Sequence, residues 1–136
     1  MAVVLQTLVD SDFEHVVKVT TSGTTSATSI ADASALAGAG TDPRLSIAGM
    51  KWSCDKDVPT QIIWDATTNV VAFNCNGSGQ YGNGYDGAPA IANNAGTGIT
   101  GDVLVTHGTS VGTLVVKFRK VSGYDNITKR IMLCIR

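Results

Sequence analysis

The sequence predicts an all-β protein: a single-domain β-sandwich or jelly roll of about eight strands. Three observations carry this. The stretch Thr60–Leu104 alternates β-branched and aromatic runs with Asn/Gly turns, as in Gln61-Ile62-Ile63-Trp64, Thr67-Thr68-Asn69 and Val70-Val71-Ala72-Phe73. Charged residues make up only 15% of the chain, and fifteen glycines with many threonines take their place, a composition suited to turns rather than to a helical bundle. Apolar runs recur at short spacing from end to end, and no longer repeat is visible.

Each element can be argued in order. Residues 1–12 read as an N-terminal arm or edge strand, ended by Asp10-Ser11-Asp12. Phe13–Thr20 has period-2 character, with Val17 and Val19 on one face. Thr20–Thr28 is a Ser/Thr/Gly connection, either a flat strand or a surface loop. Ile30–Gly40, rich in Ala, Asp and Ser, is the one stretch suited to a short helix or helical turn. Asp42-Pro43 signals a turn, after which Arg44–Ser53 alternates, with Leu45, Ile47 and Gly49 sharing a face. Asp55–Pro59 makes the next turn. Strands follow at about 60–65, 69–75, 101–106, 111–120 and 127–135, with irregular structure between 76 and 99. The sandwich is expected to span 13–125, and 126–136 to form a C-terminal strand or arm.

At 136 residues the chain is long enough for one domain with a real core, and 43% hydrophobic residues argue against wholesale disorder. Cys54, Cys75 and Cys134 cannot all pair and include no CxxC, so buried free thiols are expected rather than a disulfide framework or zinc ribbon. The N-terminal apolar run lacks a basic flank and is too short for a signal peptide or membrane span, so synthesis in a reducing cytoplasm is expected.

The formal net charge of −1 conceals a division. Lys117, Arg119, Lys120, Lys129, Arg130 and Arg136 face only Asp125 in the last twenty residues, while acids dominate residues 1–116. Such asymmetry suits an electrostatically directed contact with an acidic neighbour or between copies of the chain. Nucleic acid is the weaker partner, because the basic residues alternate with apolar ones and few aromatics accompany them. A solvated strand face would have the same pattern.

Signs of chemistry are weak. Gly77–Gly82 and Gly96–Gly101 match GxGxxG, but neither leads into a helix that would meet a pyrophosphate, so both read as turns. His15 and His107 lie far apart and lack HxH or HExxH partners. Asp10/Asp12 and Asp55/Asp57 are DxD pairs without the further acids of an EF-hand. No GxSxG occurs. No enzymatic activity, cofactor or metal is therefore expected. Tyr81, Asn83, Tyr85 and Asp86 form an aromatic, amide-rich loop of the kind that stacks on sugars, or else a surface loop with its tyrosines packed down.

The succession Ile62–Thr68, Gly77-Ser78-Gly79, Asn93–Gly98, Gly101–Leu104 and Lys120–Tyr124 resembles small virion proteins of marine tailed bacteriophages over roughly residues 13–124. The resemblance implies a particle component, in the first place a head decoration or cement protein located on the capsid surface and made in the host bacterial cytoplasm. Its expected partners are the major capsid protein and further copies of itself, with a trimeric homo-oligomer favoured and no membrane involved. A tail or fibre module reading host-surface glycans through Tyr81, Asn83, Tyr85 and Asp86 is the alternative. The resemblance supplies no functional residues. The charge division and apolar ends suggest that terminal segments lock neighbouring copies together.

Overall fold

The computed structural model describes residues 3–82 and 88–124. Nine strands form two packed antiparallel sheets: β1 (Val3–Asp10), β2 (Glu14–Ser22), β3 (Thr25–Ala31), β4 (Ala39–Ser53), β5 (Thr60–Trp64), β6 (Val70–Asn74), β7 (Ser78–Gly82), β8 (Val103–His107) and β9 (Val111–Tyr124). The five-stranded sheet has the order β1-β2-β9-β4-β7, and the four-stranded sheet has the order β3-β8-β5-β6. The chain is a β-sandwich.

The core lies where the inner faces meet. Along β9 the side chains alternate so that Leu114, Val116 and Phe118 point inward, opposite Val19, Val17 and His15 of β2. Trp64, Ile62, Val103 and Val105 supply the facing sheet. A side-chain period of two makes the burial pattern a direct reading of the register.

Several elements decide between the alternatives read from the sequence, and others differ from that reading for identifiable reasons. The N-terminal residues are a true edge strand, zipped to β2 along most of their length. The Ser/Thr/Gly connection divides between the end of β2 and β3. The short helix shrinks to a single 3-10 turn, Ala33–Ala35, where the Asp32 carboxylate accepts from the Ser34 amide. Strand β4 begins ahead of Pro43, and the stretch 76–99 contains β7 and an Ile47–Ile91 bridge. The face expected for Leu45, Ile47 and Gly49 breaks at a bulge. Pairing passes from Ile47–Phe118 to Gly49–Lys117, which turns Gly49 outward and lets Met50 continue the core. The strand expected at 127–135 lies outside the described residues. Cys54 and Cys75 are free, and burial, reinforced by Cys54, pushes the Cys75 thiol up to about 12.

Polar groups close one end of the sandwich. The Lys120 side chain is fully enclosed, and its ammonium donates to Asp10 Oδ1 at 2.7 Å, the Ser11 carbonyl at 2.6 Å and the Ala37 carbonyl at 2.8 Å. It also sits 5.1 Å from the centre of the Tyr124 ring, and the Tyr124 hydroxyl donates to the Ala33 carbonyl. This one cation therefore ties the end of β1, the turn before β2 and the approach to β4 onto β9.

His15 lies beside this cluster, stacked on Phe118, with Nδ1 3.9 Å from Asp10 Oδ1 and without a hydrogen-bond partner. Burial holds its imidazole below the ordinary value of 6.5, and the nearby Lys120 charge acts in the same direction against the pull of Asp10. The unfolded chain therefore binds a proton at a higher pH than the native one. Stability from this group is complete above about pH 6.5 and declines as pH falls toward the lowered native value. Exchanging His15 for phenylalanine should flatten the unfolding free energy over this window, as followed by denaturant melts at about pH 7 and 5. An unchanged slope would remove His15 as the source.

Candidate functional site: the outer face of the five-stranded sheet

The register of β2, β9 and β4 assembles a charged surface from residues scattered along the chain. Glu14 pairs with Arg119, which pairs with Ser46 on its other side. In the next outward row Val16, Lys117 and Gly49 stand together, and beyond them Lys18, Val115, Lys51 and Gln80. These positions alternate with core ones and so face away from the sandwich, with Ser46 and Gly49 covered by their longer neighbours. Lys18, Lys51, Lys117 and Arg119 set four cations against the single carboxylate of Glu14. Lys117 reaches Glu14 at 3.1 Å, an ion pair about one-third exposed and therefore of small energetic weight.

The face is also hollowed. Two adjoining depressions lie along it, one against Phe13, Ala48 and Arg119, the other against Val16, Gly49 and Lys51, with Glu14 and Lys117 common to both. The β4 bulge produces them, because it sets the small residues Ala48 and Gly49 between longer neighbours. Acidic groups gather elsewhere. Asp102 lies near Asp32 and Asp65, where burial and the two neighbouring carboxylates push it up, opposed by the Ala33 amide that donates to it at 2.9 Å.

The structure sorts the sequence-predicted contact residues. Lys117 and Arg119 stand on the hollowed face. Lys120, expected to contact a partner, is 2% exposed with its ammonium committed internally, because β9 alternation places it on the inner side. It is a structural residue. Lys129, Arg130 and Arg136 lie outside the described residues. Lys18 and Lys51 escape sequence reasoning because each looks like an isolated surface lysine; only cross-strand pairing joins them to Lys117 and Arg119.

Of the four loop residues proposed for sugars, Tyr81 alone lies among the described residues. Tyr81 packs 5.8 Å from Phe73, which in turn meets Trp52 edge-on at 5.1 Å, and its hydroxyl donates to the Pro89 carbonyl at 2.7 Å. That tyrosine closes the open side of the sandwich between β6 and β7. Asn83, Tyr85 and Asp86 lie outside the described residues.

The other candidates are absorbed by the fold. His107 is buried, with Nδ1 donating to the Gly23 carbonyl at 3.0 Å and Nε2 within reach of the Thr21 and Ser110 hydroxyls at 3.1 and 3.2 Å. Asp55 accepts from the Asp57 amide at 2.8 Å, as a turn carboxylate does. Neither GxGxxG segment opens a helix: the first lies on β7 and the second leads into β8. Among the described residues no group of three or more His, Cys, Asp or Glu is arranged to hold a metal, and no helix is long and apolar enough to cross a membrane.

No protein-family model, curated protein or solved structure matches the chain.

Proposed function

We propose that this protein is a virion structural component, a head decoration or cement protein whose five-stranded sheet docks on the major capsid protein. The observation that carries the reading is the hollowed basic face of Lys18, Lys51, Lys117 and Arg119 on a continuous paired sheet. A rigid sheet holds its charges at a constant spacing, which suits a site repeated across a lattice. Clustered cations steer an acidic surface into register, and the small residues at the bulge leave room for its side chains. The resemblance to phage virion proteins points the same way. Many equivalent sites on one particle would make a modest individual contact durable.

The test is co-sedimentation with purified capsids over a series of salt concentrations. Binding should weaken as salt rises. K51E combined with R119E should lower affinity by about tenfold or more while leaving the melting temperature nearly unchanged, since both side chains are exposed. Affinity indifferent to both salt and these reversals would eliminate the face as the contact. Antibody-gold labelling of particles adds the location: label over heads agrees with decoration, whereas label restricted to tails would overturn it.

A further inference from the structure

Strand β1 is the longest of the four edge strands among the described residues, and a single register shift is all that interrupts it. β2 lies on one side of it and no described strand on the other. Val4, Leu5, Leu8 and Val9 are 54%, 44%, 47% and 40% exposed. From Val3 to Val9 the strand contains no charge and no proline. The other edges are guarded: β6 and β7 have five residues each, and β3 is interrupted by two register shifts, with Ala27 at φ +48°. An uncovered apolar edge of this length is a template for a further strand.

We propose that this edge pairs antiparallel with the same edge of a second copy, about a two-fold axis through Gln6. The segment Val4-Leu5-Gln6-Thr7-Leu8-Val9 reads apolar-apolar-polar-polar-apolar-apolar in both directions. In a regular strand, positions five apart face opposite sides, so Val4 could not meet Val9 of its mate. The register shift between Thr7 and Val9 removes this obstacle, because Leu8 is an inserted residue and Val9 returns to the outer face opposite Val16. Within its own sheet Val4 pairs with Thr20 of β2, which leaves its other flank to Val9 of the second copy. Gln6 then meets Gln6, and Leu5 meets the Thr7–Leu8 bulge. The same register brings Asp10 beside Val3. A parallel arrangement would instead set Asp10 against Asp10, so the charges also select the antiparallel one. The two five-stranded sheets become one, and the exposed apolar side chains of β1 are covered. The unit is a dimer, where the resemblance favours a trimer. This inference stands independently of what the basic face binds.

The test is sedimentation equilibrium of the full chain over a wide concentration range, with two double variants on exposed positions. The wild type should be a reversible dimer. V4K/V9K opposes two pairs of like charges across the axis and should weaken dimerisation by about tenfold or more. V4K/V9E opposes lysine to glutamate at the same two places and should restore it. Circular dichroism and melting temperature report whether each variant is folded. A monomeric or trimeric wild type, a Lys/Lys variant that dimerises as tightly as wild type, or a Lys/Glu variant that stays as weak as Lys/Lys would each overturn the proposal. Failure of the dimeric wild-type protein to bind capsids would count against the basic face alone.

Discussion

Replacing Lys120 by alanine should destabilise the protein by about 3 kcal/mol, since three hydrogen bonds from the enclosed ammonium are lost while its partner Asp10 is itself partly exposed. Three acceptors depend on this ammonium: the Asp10 carboxylate and the carbonyls of Ser11 and Ala37. Without it the two carbonyls lose a charge-assisted hydrogen bond, and a cavity opens against Tyr124. Methionine at the same position fills the volume without the donors, so K120M should recover only part of the loss. Guanidinium unfolding of the three proteins gives the comparison. A loss below about 1 kcal/mol in the alanine variant would mean that these groups find other partners or water.

The same cluster gives the protein an acid limit. Burial pushes the Asp10 carboxyl up, but hydrogen bonds from Lys120 and the Ala37 amide, together with the Lys120 charge, more than reverse this and hold it below 3.8. Its folded value is therefore depressed. The stabilisation is present above the ordinary carboxylate value and is lost as pH falls through the lowered one. K120M should lose most of that part of the acid dependence, while the contribution of His15 at higher pH persists.

Gly123→Ala is the second substitution with a large expected cost, about 3 kcal/mol, from left-handed strain together with overpacking. Gly123 has φ +77°, and an added Cβ would lie 2.5 Å from the Asp42 carbonyl oxygen and 2.6 Å from both Pro43 Cα and the Thr41 carbonyl oxygen. Backbone on the irregular start of β4 cannot swing aside as a side chain does. Either β9 must retreat from β4 there, which disturbs the Tyr124 anchor, or the peptide must change conformation. Gly96→Ala is the control, since an added Cβ there meets nothing within 4 Å and no positive φ is involved. Thermal melts should separate the two clearly; equal melting temperatures would show that the β4–β9 junction yields at little cost.

Much of the fold was legible because β periodicity writes burial directly into the order of residues. Val17 and Val19 announced the inner face of β2, and Gln61–Trp64 and Val70–Phe73 announced a pair of strands through the turn between them. The flat, polar stretch of β3 was ambiguous because Ser and Thr serve equally in loops and on exposed strand faces. The start of β4 was hidden by Asp42-Pro43, a turn signal that the fold accommodates as an irregularity with Asp42 at φ +51°. The β4 bulge left no local mark, because Ala48-Gly49 suits either phase of alternation.

For the candidate site, the order of residues alone establishes that the chain is all-β and that Lys117 and Arg119 share a strand face. It also contains the palindromic pattern of β1, although the bulge is what gives that pattern a workable register. Packing and strand pairing turn Lys120 inward and bring Lys18 and Lys51 to the outer face beside Lys117 and Arg119. The reason is physical: alternation assigns side chains to two sides of a strand, but which side is the core depends on what packs there. Which lysines become neighbours depends on the pairing of strands far apart in the chain, and no local preference encodes that pairing.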